Sequence, residues 1–195
     1  MYKGGQRNIT VTAELHQLPL FIHGGSIVPT RERHRRSSPL MKHDPFTLRV
    51  ALDVKNTARG ELYLDDGETY AHESGNIIWR EFIAESPKKG KGPVLSSKDL
   101  ASRHPDSAVD GVSLSKYDAT KNDFAKSMAS VKVERIVILG LSSKPKKITT
   151  AGGQTLDWEF DAGVASNGKD GQASTLTIKN PGVFVSKDWE VAVEI

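Results

Sequence analysis

The sequence has no cysteine in its 195 residues, which excludes disulfide staples and thiolate metal sites and leaves the compartment open. It has no apolar run of about 18 residues, the length a spanning helix needs, so no membrane insertion is expected. Neither sign of charge dominates. Lys and Arg number 27 against 24 Asp and Glu, a formal charge of +3, too mild to point to a polyanionic partner. Met1 to Gln6 is polar and glycine-rich and lacks the apolar stretch of a signal peptide, so the chain is expected to be cytosolic or a mature or cut piece of a longer protein. The six histidines never approach H-E-x-x-H spacing, and no metal site is expected. No G-x-x-x-x-G-K-[ST] occurs, and Gly90-Lys91-Gly92 reads as a flexible loop, so neither a nucleotide cofactor nor nucleic acid is expected.

What is present is strand-like. An apolar fraction of 37% with 26% charged residues allows one large domain, or a small domain plus part of another. Ile9, Val11, Ala13 and Leu15 alternate with polar neighbours. So do Phe46 through Val54, Leu156 through Phe160, and Trp189 through Ile195. Successive strand side chains point to opposite faces, so each run buries one face and wets the other. Ile136-Val137-Ile138-Leu139 is continuous and predicts a strand buried on both faces. The phase change from Val131 and Val133 to Glu134-Arg135 predicts a β-bulge on its approach. Further strands are expected near residues 18–22, 26–30, 60–65, 77–84 and 173–179, divided by turn pairs such as Gly24-Gly25, Asp66-Gly67 and Gly152-Gly153. This pattern predicts an all-β fold of packed antiparallel sheets. Residues 31–42 read as a basic linker, and 86–130 as a long, polar, exposed insertion with one short helix near 123–129.

Asp65-Asp66-Gly67-Glu68 is the densest acidic cluster. It lacks the spacing of a calcium loop. It also fails as a glycosidase pair, because neighbouring carboxylates on an extended segment diverge while a retaining enzyme needs two facing each other about 5–5.5 Å apart. A strand ending in a tight turn, with Gly67 at positive φ, is the better account. Gly24-Gly25-Ser26-Ile27-Val28 lacks the final glycine of a nucleophile elbow and reads as a hairpin turn. The basic runs 31–36, 88–91 and 144–147 read as solvated loops. Trp158 and Trp189 sit in phase with apolar neighbours, as core residues, whereas Trp79 is open to a sugar-stacking role. Asn8-Ile9-Thr10 is one N-glycosylation sequon.

Two segments carry more. Leu18-Pro19-Leu20-Phe21-Ile22-His23-Gly24-Gly25-Ser26-Ile27-Val28-Pro29 resembles the L-P-[VL]-F-x-[RH]-G-G-S-I-[IV]-P signature of the α-glucosidases of glycoside hydrolase family 31. Gly60 to Tyr70 resembles the G-x-[LF]-Y-x-D-D-G-E-[ST]-Y segment of the same family. Arg35 to Leu48, Val133 to Gly140, and Lys179 to Trp189 are similar to the glucosidase II α-subunit branch.

The resemblance implies a (β/α)8 catalytic barrel outside this chain, followed by a proximal and then a distal β-sandwich. Residues 1–43 are expected to supply the last strands of the proximal sandwich and a linker. Residues 44–195 are expected to form the distal sandwich, with the polar insertion at about 86–130. No catalytic, cofactor-binding or metal-binding residue is carried over. Gly24, Gly25, Pro29, Asp65, Asp66 and Gly67 are expected to be structural turn residues. The implied enzyme removes α-1,3-linked glucose from N-linked glycans, with retention, in the endoplasmic-reticulum lumen. Its implied partners are the catalytic barrel, which binds the glycan, and a β subunit that provides retention, consistent with an ending in Val193-Glu194-Ile195 rather than K-D-E-L. Two other readings compete: an autonomous carbohydrate-binding module, and a basic adaptor for acidic protein partners.

Overall fold

The computed structural model describes residues 10–86, 91–103, 108–109, 112–113, 117–164 and 172–195. Among these described residues twelve strands are formed: β1 (Ser26–Thr30), β2 (Phe46–Ala51), β3 (Ala58–Leu64), β4 (Ile78–Glu85), β5 (Val94–Asp99), β6 (Ala108–Val109), β7 (Val112–Ser113), β8 (Val133–Leu139), β9 (Lys147–Thr150), β10 (Trp158–Asp161), β11 (Thr175–Lys179) and β12 (Trp189–Glu194). Two short α-helices, α1 (Leu100–Arg103) and α2 (Asp123–Ser127), and two 3-10 turns, Ser38–Met41 and Ala71–Ser74, interrupt them. β6 and β7 form a separate pair, and the other ten strands make one sheet in the order β10-β11-β8-β2-β1-β3-β4-β5-β12-β9.

The sheet curls until its end strands nearly meet. The Leu156 N–H, just ahead of β10, donates to the Ile148 carbonyl on β9 at 3.0 Å. Inside the curl, Leu48, Val50, Ile136, Ile138 and Leu176 from one half pack with Phe82, Leu95, Ile148 and Val191 from the other in a single cluster. Closure of this kind hides the hydrogen-bonding edges that an open sheet exposes. The two halves join at a thin seam. β1 and β3 run parallel and share one ladder position, Ser26 opposite Arg59, and Pro29 has no N–H with which to extend it. The strands approach so closely there that a Cβ on Gly60 would lie 1.9 Å from the Ile27 carbonyl oxygen.

The expected bulge is present. β2 pairs with β8 in parallel, but Phe46 faces Val133 while Thr47 faces Arg135, which leaves Glu134 as the extra residue. α2 falls where a short helix was expected and is capped by Asn122, whose side chain accepts from the Ala125 N–H at 2.8 Å.

Other expectations are corrected. The strands predicted at 9–15 and 18–22 do not form over 10–22, which is non-strand and exposed, because no neighbouring strand is there to complete their hydrogen bonds. β2 stops at Ala51 rather than reaching Val54, because the Asp53 carboxylate accepts from Lys55 N–H and Thr57 N–H, both at 2.8 Å, and turns the chain. Val137 and Leu139 are only half-buried, so β8 is not covered on both faces. The stretch 86–130 is not simply an exposed insertion: β5 lies inside it, between β4 and β12, with Leu95 and Ser97 buried. β9 was also absent from the sequence expectation. β1, which precedes the expected division at residues 43 and 44, pairs with β2 from Ser26 to Thr30.

Candidate docking surface

The arm of residues 10–22 presents apolar side chains to solvent. Leu18 and Leu20 are 78% and 82% exposed, and Leu15 and Phe21 are exposed beside them. Contiguous exposed apolar groups of this kind mark an interaction site. The arm enters the sheet through Gly24-Gly25. Gly25 has φ +93, and a Cβ on Gly24 would press on the Leu52 carbonyl oxygen at 3.3 Å. Gly25 N–H donates to the Ala51 carbonyl at 2.7 Å, and its own carbonyl accepts from Arg59 N–H at 3.0 Å. The glycine pair therefore anchors the arm to β2 and β3 at once.

Beyond the turn, the outward face of β1, β2 and β8 continues the apolar surface. Val28 faces Arg49, which faces Val137, and Ser26 faces Ala51, which faces Leu139. Val28 is exposed while Val137 and Leu139 are half-buried, so the end of this face nearest the arm is apolar. The opposite end is charged. Glu32 accepts from Arg49 at 2.6 Å and Arg135 at 3.3 Å, and Arg33 pairs with Glu134 at 3.0 Å. Arg35 binds Asp44 through two hydrogen bonds, at 2.9 and 2.6 Å. This pairing holds the Asp44 carboxyl below the usual carboxylate range and raises the Arg35 guanidinium. Arg31 lies over the Phe46 ring at 4.4 Å, and burial pulls its pKa down against the charge of Asp44. The basic run 31–36 is therefore largely tied to the fold rather than held out as a loop. Its organising acid, Glu32, was not recognised in the sequence because it is the lone carboxylate among cations.

The remaining turn residues lie apart from this face. Asp65, Asp66 and Gly67 follow β3, with Gly67 at φ +68. Asp65 accepts from Gly67 N–H at 2.9 Å, and Asp66 accepts from the N–H groups of Glu68 and Thr69 and from the Thr69 hydroxyl, the last at 2.6 Å. The Thr69 hydroxyl, with those backbone donors, holds the Asp66 carboxyl at about 2. Both aspartates spend their oxygens on their own turn, and no His, Asp and Glu group suited to a metal ion occurs among the described residues. Pro29 faces Leu48 within β1. Asn8 lies outside the described residues. Trp189 is buried and Trp158 half-buried against the core. Trp79 is half-buried beside Ile77, Ala101 and Tyr117, with its indole N–H donated to Glu61 at 3.0 Å. The Tyr117 hydroxyl donates to Asp99 at 2.8 Å, and burial pushes its pKa up to about 12. Among the described residues no helix is long and apolar enough to cross a membrane.

No protein-family model matches the chain. It is 33% identical over 193 residues to the probable glucan 1,3-alpha-glucosidase of Oryza sativa subsp. japonica, matching 98% of this chain and 18% of that protein. Over 76 residues it is 43% identical to the glucosidase 2 subunit alpha of Saccharomyces cerevisiae, matching 39% of this chain and 8% of that one. A crystal structure of the glucosidase II alpha subunit in a Glc1Man2-bound form superposes with a TM-score of 0.67 at 31% identity, covering 87% of this chain and 17% of that one. The ER glucosidase II heterodimeric complex of catalytic subunit and regulatory-subunit binding domain gives 0.65 at 29% identity, with 87% and 16% covered. The chain is thus an all-β homologue of the α-glucosidases of glycoside hydrolase family 31, as its two motifs implied. Within that group its relatives include glucosidase II α subunits, and it spans less than a fifth of the length of these relatives.

Proposed function

We propose that this chain is the non-catalytic C-terminal β part of a glucosidase II α subunit and that its work is to brace a catalytic barrel. The observation that carries the reading is the arm: apolar side chains at Leu15, Leu18 and Leu20 face solvent, in a chain whose relatives are several times longer. In this reading the arm completes a proximal sandwich shared with the barrel, and the curled sheet is the distal sandwich beyond it. The apolar side chains of Val28, Val137 and Leu139, with Arg49 set between the two valines, give the barrel a partly apolar bed. The complete enzyme hydrolyses α-1,3-linked glucose from N-linked glycans with retention, in the endoplasmic-reticulum lumen and together with a β subunit. The two catalytic carboxylates belong to the barrel.

Co-expression with the barrel-bearing remainder of the polypeptide tests this. The chain alone is expected to turn over no α-glucoside, and the reassembled pair to recover activity. Leu18→Asp with Leu20→Asp is expected to abolish co-purification while leaving the melting temperature of the isolated chain unchanged. Turnover by the chain alone, or assembly indifferent to both substitutions, would overturn the proposal.

A further inference from the structure

The basic run after β1 carries a spacing with a chemistry of its own. Arg33-His34-Arg35-Arg36-Ser37 sets arginines at the first, second and fourth positions before the Arg36–Ser37 bond, and Arg35-Arg36 is the only pair of adjacent arginines in the sequence. An endoprotease whose acidic pockets take arginine at each of these positions gains a charge-assisted, forked contact from every one. Cleavage also needs a bond that solvent reaches and a backbone that can be drawn out straight. Both conditions hold. Residues 33–40 are exposed, and Ser37 is extended at φ −152 and ψ 157 with no side-chain capping bond. Among the described residues, no N–H of 33–36 donates to another backbone group.

The three arginines are not equally available. Arg36 has no hydrogen-bond or ion-pair partner among the described residues. Arg33 is held by Glu134 at 3.0 Å. Arg35 gives two hydrogen bonds to Asp44, whose side chain is only 5% exposed. A protease that seats all three must first draw two of them off these carboxylates, so the rate of cutting follows the population of the released segment.

We propose that Arg36–Ser37 is a latched processing site for an endoprotease selective for arginine at these positions, with Glu134 and Asp44 as the latch. Water adds across the peptide bond, leaving a carboxylate on Arg36 and an amine on Ser37. The pieces stay together, because β1 remains paired with β2 from Ser26 opposite Ala51 to Thr30 opposite Thr47, and Ile27 stays in the shared core. Cutting therefore replaces the covalent link between β1 and β2 by a ladder. The site is separate from the arm and stands whether or not the arm meets a barrel.

The whole chain is incubated with a kexin-type endoprotease, which requires paired basic residues, and read by intact mass. The expected products are residues 1–36 and 37–195, eluting together in native buffer and apart in urea, and Arg36→Ala is expected to abolish the cut. Glu134→Gln is expected to speed it about threefold, the worth of a partly exposed ion pair. Asp44→Asn, which breaks the forked pair, is expected to speed it about tenfold. Chymotrypsin digestion of the same variants at unchanged rate would show that the latch was loosened and not the whole fold. No cut after Arg36 in the unmodified chain or either acid variant would overturn the proposal. So would equal cutting after Lys89 or Lys147, unchanged rates in both acid variants, or chymotrypsin rates that rise in step with theirs.

Discussion

The buried guanidinium of Arg80 is held by Asp188, 2.6 Å away and 108 residues further along the chain. Arg80 is 3% exposed and also donates to Ser97 Oγ and to the Lys187 carbonyl. The same Asp188 oxygen accepts from Asp99 N–H, so one carboxylate ties β4, β5 and the entry to β12. Asp188→Ala leaves a buried cation without its counter-charge, and is expected to lower unfolding free energy by about 2 kcal/mol. Urea unfolding of both forms checks this. A change under about 0.5 kcal/mol would mean that water and Ser97 compensate fully.

Gly60 and Gly67 separate two reasons for glycine. Gly60→Ala drives a methyl onto the Ile27 carbonyl and must part β1 from β3, with an expected loss of about 3 kcal/mol or failure to fold. Gly67→Ala meets nothing within 4 Å but keeps φ +68, so only the left-handed conformation is penalised, by about 1–2 kcal/mol. Melting temperatures of the two variants are expected to rank in that order; the reverse order would show that the seam yields.

Asp66 gives the turn after β3 a pH dependence. Its pKa falls from the ordinary 3.8 to about 2 in the fold, so the turn's stabilisation is complete above about pH 4 and is lost as pH drops from there toward about 2. An NMR titration of the Asp66 carboxyl carbon is expected to show the low midpoint, and Thr69→Ala to move it upward. A midpoint near 3.8 in the unmodified chain would contradict the hydrogen-bonded turn.

Phe82 is fully buried, with its ring centre 6.1 Å from that of Trp189. Phe82→Ala is expected to cost about 3–5 kcal/mol, as transfer and cavity terms add. Fluorescence in a Trp79→Phe, Trp158→Phe background, which leaves Trp189 as the emitter, is the readout: its emission is expected to shift to the red at denaturant concentrations where the same background with Phe82 intact is still folded.

The strands legible in the sequence were those whose own alternation identified them, such as Leu48 and Val50 or Val191 and Val193. The Glu134 bulge was legible because a shift in hydrophobic phase has few other causes. β5 was hidden because an inward position holds Ser97, a polar residue whose hydroxyl accepts from the buried Arg80 guanidinium. A buried pairing across such a sequence distance leaves no local trace. The arm failed in the other direction: its pattern is strand-like, but pairing depends on a neighbour and not on pattern alone. The bridge from Glu32 to Arg49 and Arg135 was invisible for the same reason, since separate segments assemble it.

β12 lies between β5 and β9 although it comes last of the strands in chain order among the described residues. A premature stop anywhere ahead of Trp189 would therefore remove an interior stave rather than trim a tail. β9 would be cut adrift, and β5 would be left as a raw edge open to pairing with other chains. Nonsense and frameshift changes ahead of Trp189 are therefore expected to yield misfolded product rather than a slightly shortened chain.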